Sequence, residues 1–226
     1  GKKLGLQWGQ ALSVEQVSKL DNDIIWMVET TVAGQKVLAP VVYLSAGTKA
    51  AIQTGAVISA KDANLNLTSL TNSGGTISGS NSLNIVSQGD VRNTGGTITG
   101  GNVSVQSTEG SIINETRAIT TGKDRERNTV IGNTGTISST GDLNLDAKKD
   151  IKVTGAQIAA GGNASLTAGD AITFDTIEDK KAHTTSSASS KGFNATTTTS
   201  TTQTTTQIKS GLTVGGNLNM KAKNDV

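Results

Sequence analysis

The sequence predicts an all-β protein: a right-handed parallel β-helix, which is a solenoid, with about 20–21 residues per rung. The string GGTISGSNSLNI at 74–85 returns as GGTITGGNVSV at 95–105, so Ile98 follows Ile77 by 21 residues. A fixed period near 20 residues is typical of units that stack on one another. Aromatic residues are only 2% of the chain, too few for a globular core, and its 27 glycines suit many tight turns.

Degraded copies extend the repeat over most of the chain, at 55–67, 135–145, 155–166 and 212–220. The x-Leu-Asn-Leu element of the repeat, or its equivalent, alternates so that aliphatic residues lie inside and polar residues outside. The predicted outward residues, which could form a ladder across rungs, are Asn66, Asn84, Ser104, Asn144 and Asn219. A second strand is predicted after the next turn, starting at Val91, Ile112, Ile151 and Ile172.

Residues 1–49 differ from the repeats and are predicted to form an N-terminal cap or junction segment before the β-helix of residues 50–226. Ser13 and Gln16 match a capping box ahead of a short helix. Residues 23–32 and 36–45 are apolar and β-branched, which predicts a β-hairpin. An atypical end unit is expected because an exposed rung would offer unpaired backbone to other chains.

Two insertions interrupt the repeats, at about 114–134 and 175–209. The second is rich in Ser and Thr, which are 16 of the 24 residues from His183 to Thr206. Low hydrophobicity indicates disorder, whereas threonine favours strands, so a disordered loop and a long hairpin both remain open. We expect this segment to be the main contact surface of the filament.

Composition excludes several function classes. The net charge of +2, with both signs interspersed, gives no electrostatic case for nucleic acid. The chain has no cysteine for a disulfide framework, and no apolar run long enough to span a bilayer. It begins with glycine and shows no signal peptide, so we expect it to be an internal piece of a larger protein.

Four aspartates at predicted corners are the candidates for chemistry: Asp90, Asp150, Asp170 and Asp225. Carboxylates on adjacent rungs could share a Ca²⁺ or raise each other's pKa. The favoured interpretation is that they are turn residues that cap N–H groups, and Ser111 interrupts the acidic series. His183 is the only histidine, which precludes a His-pair metal site or a Ser-His-Asp set within the chain. We therefore predict no catalytic residue, no cofactor, no metal site and no enzymatic activity.

Candidate partner contacts lie in the insertions. They are Lys123, Arg125, Arg127, His183 and Phe193. The basic residues of the first insertion alternate with acidic ones, a pattern that is usually a solvated face and otherwise suits an acidic partner such as lipopolysaccharide.

The segment DIIWMVETTVAGQKVLAPVVYLS at 23–45, followed by repeats such as SGSNSLNIVSQGDVRNTGG, resembles the filamentous haemagglutinin and contact-dependent growth-inhibition effectors. These are two-partner-secreted exoproteins of Gram-negative bacteria. The segment looks like the entry to their second haemagglutinin-repeat region. The resemblance implies a filament exported through a dedicated outer-membrane transporter and displayed at the cell surface.

In that setting we expect a non-enzymatic filament segment that positions a C-terminal toxin and helps deliver it across the envelope of a neighbouring cell. An adhesin stalk that binds host or bacterial surface glycans is the alternative. A carbohydrate-active β-helix enzyme is a minor one.

Overall fold

A computed structural model describes residues 7–13, 16, 20, 24–32, 35–43, 55–122, 128–191 and 194–226. Most of these residues lie in β-strands. In chain order the strands are β1 (Ile24–Val32), β2 (Gln35–Tyr43), β3 (Val57–Leu67), β4 (Leu70–Ser73), β5 (Thr76–Ser87), β6 (Val91–Thr94), β7 (Thr97–Ser107), β8 (Ile112–Glu115), β9 (Ala118–Thr121), β10 (Asn128–Ile131), β11 (Thr136–Ser139), β12 (Leu143–Ala147), β13 (Ile151–Thr154), β14 (Gln157–Ala160), β15 (Ala164–Ala168), β16 (Ile172–Asp175), β17 (Ile177–Lys191), β18 (Asn194–Ile208), β19 (Gly211–Val214) and β20 (Leu218–Lys221).

The chain divides into two compact units. One, the solenoid unit, consists of residues 52–117, 132–177 and 207–226. The other, the insertion unit, combines residues 1–51 with 118–131 and 178–206.

The solenoid unit is a stack of parallel rungs, which confirms the predicted parallel β-helix. Its first face is formed by the first halves of β3, β5 and β7, followed by β11, β14 and β19. Its second face is formed by the second halves of β3, β5 and β7, followed by β12, β15 and β20. Strands β4, β6, β8, β13 and β16 form the third face. The rungs β11–β13 and β14–β16 contain three strands where the sequence predicted two, because the TIS segment of the repeat, or its equivalent, is itself a strand and forms the first face.

Aliphatic columns fill the interior. On the first face Ile77, Ile98, Ile137 and Ile158 are paired in register and at most 3% exposed. On the third face the predicted strand starts at Val91, Ile112, Ile151 and Ile172 stack in one buried column. Each rung thus buries a strip of Ile, Leu and Val against its neighbours, which is why few aromatic residues are needed.

The register of the first rung differs from the prediction by two residues. Ala63 pairs with Leu83 and Leu65 with Ile85, so Asn64 is the residue that aligns with Asn84. The predicted ladder member Asn66 pairs instead with Val86. Because Ala63 is a small inward residue, it concealed the true position of the element in the sequence.

The N-terminal segment contains the predicted hairpin, with β1 and β2 antiparallel from Ile24–Tyr43 to Val32–Gln35. The backbone N–H groups of Ser13 and Gln16 donate to each other's side chains at 2.9 and 3.2 Å, as a capping box requires. Most of the predicted helix at 14–20 lies outside the described residues.

The two insertions meet in one four-stranded sheet of order β18-β17-β10-β9. Strands β9 and β10 form a hairpin, and Asn128 of β10 pairs with Lys181 of β17 in antiparallel orientation. Two residues separate β17 from β18, so these neighbours also run antiparallel. The Thr-rich segment is therefore a long hairpin, the second of the two alternatives.

Candidate functional site

A ladder of three buried asparagines runs up the inside of the third face. The Asn72 amide donates to Asn93 Oδ1 at 2.8 Å, and the Asn93 amide donates to Asn114 Oδ1, also at 2.8 Å. All three side chains are buried, Asn93 completely. Each link is 21 residues long, one rung of the solenoid. A continuous amide ladder satisfies polar groups that burial would otherwise penalise.

Each ladder amide also holds the turn that follows it. Asn72 Nδ2 donates to Gly75 O at 3.0 Å and Asn93 Nδ2 to Gly96 O at 2.9 Å. A side chain at Gly96 would collide with the amides of Asn72 and Asn93. The preceding Gly95 has φ of +60°, which non-glycine residues rarely adopt. The asparagine and the two glycines thus form one turn, which connects the third face to the first.

The prediction had placed the asparagine ladder only on the outside of the solenoid. The signal for the inner ladder was present in the sequence, as Asn-Ser-Gly-Gly at 72–75, Asn-Thr-Gly-Gly at 93–96 and Asn114 a further 21 residues on. Above Asn114 the column continues with Val153 and Phe174, so the polar ladder ends there.

The corner aspartates cap backbone groups on the next rung. Asp90 Oδ1 accepts from Ser111 N at 2.8 Å, and Asp150 Oδ1 accepts from Ala171 N at 3.3 Å. Between them, Ser111 Oγ accepts from Asp150 N at 3.3 Å, so serine serves the same purpose. These contacts agree with the capping interpretation, except that the capped N–H groups are one rung away.

The other two aspartates do not extend this column. Asp170 lies one residue before Ala171, the residue capped by Asp150, and its carboxylate contacts the Asn224 amide. At Asp225 it is the backbone carbonyl that accepts a hydrogen bond, from Ile172 N. Asp150 Oδ2 is paired with Lys152 Nζ at 3.1 Å. Among the described residues no cluster of three His, Cys, Asp or Glu side chains could hold a metal ion.

Asp90→Ala is expected to lower the free energy of unfolding by about 1 kcal/mol, because Ser111 N loses its acceptor. Asp90→Asn keeps an oxygen at that position and should recover most of the loss. Urea denaturation followed by circular dichroism measures both. An Asn variant as unstable as the Ala variant would show that the charge, and not the cap, is what matters.

A second row of acceptors lines the corner between the first and second faces. Asn102 Oδ1 accepts from Asp142 N, Asp142 Oδ1 from Asn163 N, and Asn163 Oδ1 from Asn217 N, all at 2.8–2.9 Å. At the first rung Ser82 and then Asn81 donate to the Asp62 carboxylate, and these hydrogen bonds lower the pKa of Asp62.

A polar groove of about 800 Å³ follows this corner across the second face. Its floor is the outward row of the second face, whose members are Asn64, Asn84, Ser104, Asn144, Ser165 and Asn219. Neutral amides and hydroxyls recur there once per rung, at the roughly 4.8 Å spacing of neighbouring strands. Among the described residues that line the groove, Asp142 alone is ionisable.

The four-stranded sheet β18-β17-β10-β9, which the two insertions form and which we call the inserted sheet, carries a different surface. Strand β17 holds charged residues, with ion pairs from Lys180 to Glu178 and from Lys181 to Asp179. Strand β18 contains no Asp, Glu, Lys, Arg or Pro. Its described side chains from 197 to 207 are all exposed, and Thr201 exchanges a 3.2 Å hydrogen bond with Thr184 of β17. The edge of this sheet is therefore a long, uncharged hydroxyl-rich strand.

The predicted partner contacts are only partly placed. His183 lies on β17, and its side chain is outside the described part of the structure. Lys123, Arg125, Arg127 and Phe193 lie outside the described residues.

Within the described ranges, no helix has the length and apolar character needed to cross a membrane.

Two family models match the chain, both described as haemagglutinin repeats, over residues 26–95 and 118–202. The tRNA nuclease CdiA of Escherichia coli (strain STEC_O31) is 30% identical over an alignment 226 residues long, gaps included, which covers 87% of this chain and 7% of the relative. The 16S rRNA endonuclease CdiA of Enterobacter cloacae is 35% identical over 178 residues, covering 79% and 5%. The filamentous hemagglutinin of Bordetella pertussis is 46% identical over 52 residues, covering 23% and 1%. The chain thus spans at most 7% of the length of these relatives. No solved structure matches it.

Proposed function

Because the chain belongs to the haemagglutinin repeat family and is a filament segment of a secreted, cell-surface two-partner exoprotein, we propose that it positions a C-terminal toxin and helps deliver it across the envelope of a neighbouring cell. The observation that carries the proposal is the inserted sheet. Two separate interruptions of the solenoid contribute to a single sheet whose outer strand is uncharged and exposed. A plain rod would need neither interruption.

The solenoid itself has the character of a rod. Its buried asparagines bond to one another and to turn carbonyls, and its corner side chains cap the next rung. These polar groups serve the fold, which leaves the inserted sheet as the surface best suited to a partner. Two of the relatives compared are named as nucleases. In the proposed arrangement that activity belongs to a C-terminal domain, and this segment acts mechanically, with an outer-membrane transporter as the export partner of the whole protein.

Adhesion to surface glycans is the second candidate, and the polar groove favours it. Amides and hydroxyls can donate and accept hydrogen bonds, as binding to a neutral sugar requires. The described part of the groove contains no aromatic side chain on which a sugar ring could stack. For this reason we rank adhesion below delivery.

The deciding experiment removes the inserted sheet and leaves the solenoid intact. Residues 117–134 and 177–209 are deleted in the parent protein, and Thr116→Gly and Thr176→Gly are introduced. Both junctions then copy the tight connection at Gly155 and Ala156, where Gly155 has φ of +57°. Surface display, attachment to target cells and inhibition of their growth are scored in one co-culture.

We expect display and attachment to persist and growth inhibition to be lost. Loss of attachment in the deletion, with display intact, would make the inserted sheet an adhesive surface. Unchanged inhibition would contradict delivery through the inserted sheet. A groove variant, Asn84→Ala with Asn144→Ala, is the matched control, since it alters the other polar surface and should leave inhibition unchanged. Loss of attachment in the groove variant would favour the adhesin.

A further inference from the structure

We propose that β18 is a self-association edge, through which two copies of this chain join their inserted sheets by antiparallel strand pairing. The first observation is its position. In the order β18-β17-β10-β9 the strand has one neighbour, so among the described residues one side of its backbone has no strand partner. Such an edge is a template for another strand.

The second observation is the distribution of charge. Edge strands are normally protected by proline or by charged residues, especially lysine. Here β18 has none of these over 15 residues, whereas its inner neighbour β17 carries Glu178, Asp179, Lys180, Lys181 and Lys191. The protecting residues are thus on the strand that already has partners. A long edge strand without protecting residues is expected where another strand pairs with it.

The third observation is that the described side chains of β18 bury little surface. All described side chains of β18 from 197 to 207 are exposed, so both faces of the strand meet solvent. A two-stranded ribbon without a hydrophobic face is marginally stable in water, and further strands stabilise it. Another strand on β18 would add backbone hydrogen bonds where side-chain burial contributes little.

A second copy fits this edge because the strand is complementary to itself. Residues 196–206 are only Thr, Ser and Gln. An antiparallel pair of such strands sets hydroxyls and amides opposite one another and no like charges, whatever the register, and Thr–Thr pairs across strands are favourable. The chain already contains one, between Thr184 and Thr201. The resulting contact is isologous and closes at two copies.

The test uses the 226-residue chain, whose lack of cysteine permits a clean scan. Single cysteines replace Thr197, Thr199, Thr201, Gln203 and Thr205 in turn, and disulfide-linked dimer is measured after mild oxidation. In an antiparallel dimer one part of β18 faces its own copy across the two-fold axis, within reach of a disulfide. Because this composition allows more than one register, cross-linking should occur at one or more of these positions. Asn144→Cys, exposed on a middle rung, is the control and should stay uncross-linked.

Light scattering on the wild-type chain should show a monomer–dimer equilibrium. The double variant Thr199→Lys with Thr201→Lys should raise its dissociation constant about tenfold or more, because it adds like charges across the edge. Thr199→Val with Thr201→Val keeps strand propensity without charge and should remain dimeric. A monomeric wild type, or a dimer whose β18 cysteines cross-link no more than the Asn144→Cys control, would overturn the proposal. These readouts need no target cell, so they are independent of the proposed delivery function.

Discussion

Ile98→Asp is expected to unfold the solenoid, with a loss of roughly 4–5 kcal/mol or more. Ile98 is the second residue of β7, is fully buried, and is paired with Ile77 on one side and Ile137 on the other. The substitution removes an aliphatic side chain from a continuous column and buries a carboxylate among aliphatic neighbours that offer it no partner. The thermal transition in circular dichroism should move to much lower temperature or disappear.

Thr99→Asp is the matched control, since Thr99 is the next outward residue of the same strand and shares a 2.9 Å hydrogen bond with Ser138. An aspartate there can accept from the serine and remains partly solvated, so the transition should change little. Equal losses for the two variants would contradict the assignment of inner and outer sides on β7. An unchanged melt for Ile98→Asp would do the same.

Asn93→Ala is expected to cost about 3 kcal/mol or more, although it removes only a small polar side chain. Asn93 is the middle member of the buried ladder, with bonds to Asn72, Asn114 and Gly96. Its removal leaves Asn114 Oδ1 unpaired, takes one acceptor from Asn72 and leaves Gly96 O with the backbone N–H of Thr136 as its donor. Each buried group left unpaired costs about 1–3 kcal/mol, and the lost hydrogen bonds add to that. Urea denaturation gives the change in the free energy of unfolding.

Asn84→Ala on the same rung is the comparison, because Asn84 lies on the outer row, half-exposed. We expect a change below about 0.5 kcal/mol there, as for most surface substitutions. A large effect at Asn84 with a small one at Asn93 would mean that the outer row, and not the inner ladder, holds the rungs together.

The inner and outer asparagines also show how far the sequence could be interpreted. Period-two alternation was sufficient to place Leu83, Ile85, Leu143 and Leu145 inside, and these residues are at most 2% exposed. The same rule predicts that Asn72, Asn93 and Asn114 lie inside, since each follows an inward aliphatic residue by two positions. The polarity of asparagine favours the opposite assignment, because burying an amide costs free energy unless it is hydrogen-bonded. Here the three stacked amides bond to one another.

The fold class, the period of the rungs, the aliphatic columns and the capping box were determined by the sequence, because each depends on contacts that recur at a fixed local spacing. The register of Asn64 against Asn84, the inner asparagine ladder and the pairing of Asn128 with Lys181 were decided only by the tertiary structure. The last joins segments that lie on different insertions and have no repeat in common. Such a pairing depends on contacts between residues that are far apart in the sequence, and no local pattern encodes it.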